Sequence, residues 1–79
     1  LDILEEESIE QILSKAIDAL PEKCREIFIK NKIEGKKQKE IAAELNISIN
    51  TVETQMGIAY KKLKTELKDY FPLFLFLLY

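Results

Sequence analysis

The side chains able to do chemistry in this 79-residue chain are few, and they favour binding over catalysis. There is no His and no Trp, and Cys24 is the single cysteine. Neither a zinc site nor an internal disulfide can be composed from that set. No nucleophile stands with a histidine base, so an enzyme is the least supported reading, and no cofactor is implied. Cys24 lies among helix formers and reads as a small buried hydrophobe. What remains is a concentrated polar set between positions 48 and 55: Ser48, Asn50, Thr51, Glu53, Thr54 and Gln55. These groups suit base edges and phosphates. Gln55 can bond an adenine through two atoms, Glu53 can accept from a cytosine amino group, and Thr51 or Thr54 can meet a thymine methyl. Ser48, Asn50 and a helix N-terminus can hold phosphate.

Charge supports such a partner once its distribution is seen. The net charge is −2. Residues 1–22 carry seven acidic residues against Lys15 alone, a net −6, whereas residues 23–79 carry eleven basic and seven acidic residues, a net +4. A basic body follows an acidic leader. Lys36, Lys37 and Lys39 form one basic cluster, and Lys61, Lys62 and Lys64 another. Both are placed to flank a nucleic-acid backbone. A chain of this length folds as one domain, and a small domain buries only about 60% of the surface its unfolded chain exposes. A binding surface is easier to build on it than a deep pocket.

The elements that must position the polar set are helices. Ile9, Ile12, Leu13, Ala16, Ile17 and Leu20 recur at three- and four-residue steps, predicting a first helix over 8–19. Ser8 and Gln11 form a capping box at its start. Pro21 suits the first position of a second helix, which carries Cys24, Ile27 and Phe28 and ends near Asn31. Glu34-Gly35 is a turn whose glycine can take positive φ. A third helix is predicted over Gln38–Leu45, Asn46 ends it in the left-handed conformation, and Ser48 caps a fourth. That fourth helix buries Ile49, Val52, Met56, Ala59 or Tyr60, Leu63 and Leu67. It shows Asn50, Glu53, Thr54, Gly57 and Lys61 outward.

The stretch from Gln38 to Gly57 therefore has the layout of a helix-turn-helix. Ala42 sits where the two helices cross, and Ile41, Leu45, Ile47 and Val52 close the angle between them. In such a unit the second helix enters the major groove. The expected fold is all-α: a four-helix helix-turn-helix domain, winged-helix-like but without a wing. Residues 1–18 read as an acidic linker and first helix, 19–69 as the domain, and 70–79 as an apolar tail. The tail is far shorter than the roughly 20 apolar residues that span a bilayer. It is expected to fold back on the core, or else to dock on a partner or a second copy. The lone cysteine and absence of a signal-peptide pattern predict a cytoplasmic protein.

Three segments carry a family resemblance. Ala19-Leu-Pro-Glu-Lys-Cys-Arg-Glu-Ile-Phe28 resembles the opening of region 4 in extracytoplasmic-function sigma factors. Glu34-Gly35 and Lys39-Glu-Ile-Ala-Ala-Glu-Leu-Asn-Ile-Ser-Ile-Asn-Thr-Val52 resemble its helix-turn-helix, and Tyr60-Lys-Lys-Leu63 the close of its recognition helix. Thr-Val-Glu together with the apolar tail is similar to sigma factors of the Bacteroides type. The resemblance implies a domain that docks on the β flap of RNA polymerase and reads the −35 promoter element. It implies DNA contacts from Lys39, Ser48, Asn50, Thr51, Glu53, Thr54, Gln55, Lys61 and Lys62. It also implies polymerase contacts from Phe28, Leu63 and Leu67, and leaves room for an anti-sigma partner.

Departures from the family pattern predict weak DNA binding by the domain alone. Glu53, Gln55 and Ile58 stand where many relatives carry Lys or Arg, Lys37 stands where Ser is common, and Gly57 lies in mid-helix. Tethering to polymerase would then supply effective concentration. The competing expectations are a LuxR- or NarL-type response-regulator domain, which shares the Ile-Ser-x-x-Thr-Val turn, and a helix-turn-helix used mainly as a protein-binding surface. The Leu20-Pro-Glu-Lys-Cys-Arg25 opening favours the sigma-factor resemblance.

Overall fold

The computed structural model describes residues 8–68; residues 1–7 and the apolar tail with its expected packing lie outside them. Four helices follow in order: α1 (Ile9–Asp18), α2 (Glu22–Phe28), α3 (Gln38–Leu45) and α4 (Ile49–Glu66). A π-helical turn over Ile29–Ile33 continues α2 without a break. No strand occurs among the described residues, as the all-α expectation required.

Local chemistry sets the helix ends. Ser8 Oγ accepts from the Gln11 N–H at 3.1 Å, and Gln11 Oε1 accepts from the Ser8 N–H at 2.9 Å. The capping box is complete, and two backbone donors without intrahelical partners are satisfied. Pro21 stands one place before its expected position. It is extended, at φ −57° and ψ 151°, and its carbonyl takes the first helical bond from the Arg25 N–H at 2.8 Å. Lys37 cannot accept a backbone proton, but half of a capping box survives there: Glu40 Oε1 takes the Lys37 N–H at 2.7 Å.

The core joins one face of every helix. Cys24, Ile27 and Phe28 of α2 meet Ile41 and Ala42 of α3 and Val52, Met56, Ala59 and Leu63 of α4. Ala16, Ile17 and Leu20 extend it, so α1, expected within an acidic leader, packs as part of the same unit. Phe28 and Tyr60 meet edge to face with ring centroids 6.4 Å apart, a favoured aromatic geometry. Ile49 departs from expectation. It occupies the first turn of α4, beyond the cover of its neighbours, and is 47% exposed.

The second helix runs past its expected end. The Glu34 N–H bonds Ile29 O at 2.9 Å, a step of five residues, and the Lys36 N–H bonds Lys30 O at 2.9 Å. Gly35 closes the turn at φ +76°, a conformation that costs glycine little. Widening the helix there redistributes its side chains. Lys30 reaches α3, Asn31 Nδ2 donates to Lys36 O at 2.8 Å, and Lys32 lies over the Tyr60 ring at 5.7 Å.

Candidate nucleic-acid interface

The turn between α3 and α4 is three residues of distinct backbone chemistry. Asn46 is the one described non-glycine residue with positive φ, at φ 57° and ψ 49°. Asparagine tolerates this region better than most side chains. The reversal lets the Ile47 N–H reach back to Ala42 O at 2.9 Å. Ser48 is extended, and its Oγ accepts the Thr51 N–H at 3.0 Å. Ala42, 6% exposed, supplies the small contact that lets α3 and α4 approach. Ile47 and Leu45 close the angle as half-buried residues.

Cys24 anchors the far side of α4. Its buried thiol donates to Gln55 O at 3.4 Å. Burial pushes that thiol's pKa up, and nearby Lys62 lowers it less. Arg25 joins the preceding elements: its Nη1 donates to Asp18 O at 3.1 Å and to Leu20 O at 3.3 Å, closing the end of α1 onto α2. Arg25 is a positioning residue that sequence reasoning missed. The signal was the arginine standing just after a helix break, where carbonyls are left without partners.

α4 has 18 residues, which makes it about 27 Å long. Asn50, Thr54, Gly57, Lys61 and Lys64 are all exposed. Their spacing of three and four aligns them on the side opposite Val52, Met56, Ala59 and Leu63. Glu53 and Thr51 flank this stripe. Gln55 is half-buried, and its backbone carbonyl meets Cys24 of α2.

Hydrogen bonding narrows what each side chain can offer. Ser48 Oγ and Thr51 Oγ1 are 2.9 Å apart and satisfy each other at the cap. Thr54 Oγ1 donates to Asn50 O at 3.0 Å. The two threonines therefore hold their hydroxyls against the protein. Their methyl groups remain for apolar contact, such as with a thymine methyl. The Asn50 amide and Glu53 carboxylate lie exposed on the outer face.

The basic residues divide as well. Lys36 Nζ sits 2.7 Å from Glu44 Oε2 and 3.7 Å from Glu34 Oε1, and Lys30 Nζ sits 2.7 Å from Glu44 Oε1. Lys36 is thus held by the protein itself. Lys37 and Lys39 remain exposed at the start of α3. Lys61 and Lys62 border a groove of about 300 Å³ that also takes in Ala16, Ala19 and Leu20. Among the described residues, no cluster of His, Cys, Asp and Glu could hold a metal ion. Likewise, no described helix is long and apolar enough to cross a membrane.

The residues expected to face polymerase lie in the core. Phe28, Leu63 and Leu67 are 0%, 1% and 3% exposed. They fill the space between α2 and α4 and can meet a partner only if the core opens. Apolar surface reaches solvent at a different place. A groove of about 310 Å³ runs between α1 and the π turn, lined by Leu13, Ile17, Ile29 and Ile33 and rimmed by Glu10 and Asp18. Ile33 is 56% exposed at its edge.

The family model of sigma-70, region 4 matches residues 10–63, from the start of α1 to the last turns of α4. No curated protein matches the chain. No solved structure matches it either. Region 4 is the DNA-binding part of a sigma factor, a regulatory and not a catalytic unit, and it serves promoter recognition in transcription initiation with RNA polymerase. With its helix-turn-helix in place inside the matched span, this chain belongs to the sigma-70 region 4 family.

Proposed function

We propose that the first two turns of α4 enter the major groove of the −35 element, and that the groove between α1 and the π turn receives the β flap of RNA polymerase. The observation that carries the first half is the outward stripe of α4, presented by a capped, three-residue turn in a chain of this family. Asn50 and Glu53 supply hydrogen-bonding groups, and Thr51 and Thr54 supply methyls. Ser48 and the exposed start of α4 approach a phosphate. Lys39 and Lys61 hold the backbone on either side. Gln55, half-buried, and Lys62, beside the groove with Ala16 and Leu20, act at the margin of the contact. Phosphate contacts fix the register, while base contacts set the sequence read.

The apolar groove supports the second half, because it presents apolar surface to solvent, with Ile33 exposed at its edge, whereas Phe28, Leu63 and Leu67 lie in the core. Its acidic rim, Glu10 and Asp18, favours a flap segment with basic flanks. Glu53 weakens attraction to phosphate, so the free domain binds DNA weakly and gains its occupancy from polymerase tethering.

Selection of duplexes from a random library, with core polymerase present, tests this reading. One enriched motif is expected, lost with Asn50→Ala combined with Glu53→Ala. Equal recovery of all sequences, or enrichment that ignores both substitutions, contradicts it.

A further inference from the structure

Gly57 stands in the middle of α4, where glycine is destabilising relative to alanine because it surrenders more backbone freedom. A Cβ built at Gly57 meets no atom of the described residues within 4 Å. Its backbone is ordinary helix and needs no positive φ; among the glycines that need belongs to Gly35 alone. Nothing among the described residues makes use of the missing side chain, which leaves the backbone there open to close approach by a bound molecule.

Its position says where. Gly57 lies on the exposed stripe between Thr54 and Lys61. Thr54 turns its hydroxyl inward to Asn50 O, and Thr65, further along, turns its own to Lys61 O at 3.2 Å. The stripe thus runs from an amide through a methyl and a bare backbone to a cation. Gly57 is about 10 Å along the helix from Asn50, slightly more than the roughly 8.5 Å depth of a major groove. A helix that enters the groove by its N-terminal turns reaches the groove's wall near this point. Lys61 follows one turn later, where a phosphate stands.

We propose that Gly57 is where the backbone of α4 packs directly on bound DNA, against the sugar–phosphate wall of the major groove. This rests on the reading of α4 as the DNA-facing helix. Gly57 is a positioning residue: it sets how deeply the turns carrying Asn50 and Glu53 can sit.

The test uses the full chain, ¹⁵N-labelled and titrated at low salt with a mixed-sequence B-form duplex. The chain has only two glycines, so the Gly57 amide is read against Gly35 as an internal reference. The Gly57 signal is expected to shift with those of Asn50 and Thr54, while Gly35 stays in place. Gly57→Ala and Gly57→Gln are both expected to raise the thermal midpoint. They are expected to weaken duplex binding in order of size, by about tenfold or more for Gln, as overpacking a close contact does. A purely structural role would not move stability and binding in opposite directions. If Asn50 and Thr54 shift but both variants bind like the parent, the proposal for Gly57 is overturned and the reading of α4 stands. If no α4 amide responds to DNA, both are overturned.

Discussion

Lys30 Nζ lies 2.7 Å from Glu44 Oε1, a contact that ties the π turn to the first helix of the helix-turn-helix. Lys36 takes the other oxygen of the same carboxylate, also at 2.7 Å. One acidic residue on α3 thus holds two cations from the preceding segment. The π turn carries Ile29 and Ile33 into the α1 groove on one side and Lys30 to α3 on the other. The proposed polymerase-facing and DNA-facing surfaces share this element.

The first prediction concerns acid. Hydrogen bonds from Lys30 and then Lys36 hold the Glu44 carboxyl at about 2, against an ordinary value of 4.5. A carboxylate lowered on folding stabilises the fold above its unfolded value, and that contribution fades as pH falls from about 4.5 toward 2. Glu44→Gln removes it. The difference in stability between parent and variant, measured by urea unfolding, should be constant from pH 5 to neutrality, as linkage requires, and shrink below about pH 4.5. On the alkaline side, the hydrogen bond that Lys36 donates to Glu44 raises the Lys36 pKa above 10.5. That contribution is lost only as pH rises through the raised value. A difference that stays flat into acid contradicts the assigned pairing.

Asn46 makes the second test. Its left-handed backbone costs an ordinary L-residue roughly 1–2 kcal/mol. Asn46→Gly should leave stability unchanged or raise it slightly, whereas Asn46→Val should lose about 1–2 kcal/mol. Calorimetry on the two variants decides. Equal loss in both would mean that the Asn46 side chain, and not its backbone, holds the turn.

The third prediction separates core from surface. Phe28→Ala should cost about 3–5 kcal/mol, enough to threaten the whole fold. Ile33→Glu, at an exposed position, should change stability by less than about 0.5 kcal/mol. It should still reduce capture by a β-flap fragment, because it puts a charge at the edge of the α1 groove. Circular dichroism melts alongside pull-downs read both quantities. Normal flap capture by Ile33→Glu would move the docking surface elsewhere.

Cys24 gives the fourth. Its thiol is 1% exposed, donates to Gln55 O, and has a pKa raised by burial. Reaction needs the thiolate and access to it. A disulfide reagent should therefore modify the folded chain slowly at neutral pH and the urea-unfolded chain rapidly. Fast modification of the folded chain would contradict the packing of α2 on α4.

The helix-turn-helix was legible in the sequence because its signals are local. Asn46 and Ser48 act on their own backbones, and the spacing of Ile41, Ala42, Val52 and Met56 needs only helical periodicity. The π widening over Ile29–Ile33 was not legible. It depends on Lys30, Asn31 and Lys32 finding partners on other elements, which no local pattern encodes. The depth at which Phe28, Leu63 and Leu67 are buried was not legible for a related reason: periodicity marks an apolar stripe but does not say what covers it. The candidate DNA-contact residues were readable as a polar set. The inward hydroxyls of Thr51 and Thr54 follow from rotamers and cap geometry, which the sequence does not print.

Photo-crosslinking from single sites tests whether α4 meets promoter DNA while the α1 groove meets polymerase. Benzoylphenylalanine would replace Thr54 in one variant and Ile33 in another, each assembled with core RNA polymerase on a promoter duplex. Position 54 is expected to link to DNA near −35 and position 33 to the β flap. DNA linking from position 33 with none from position 54 would contradict this placement.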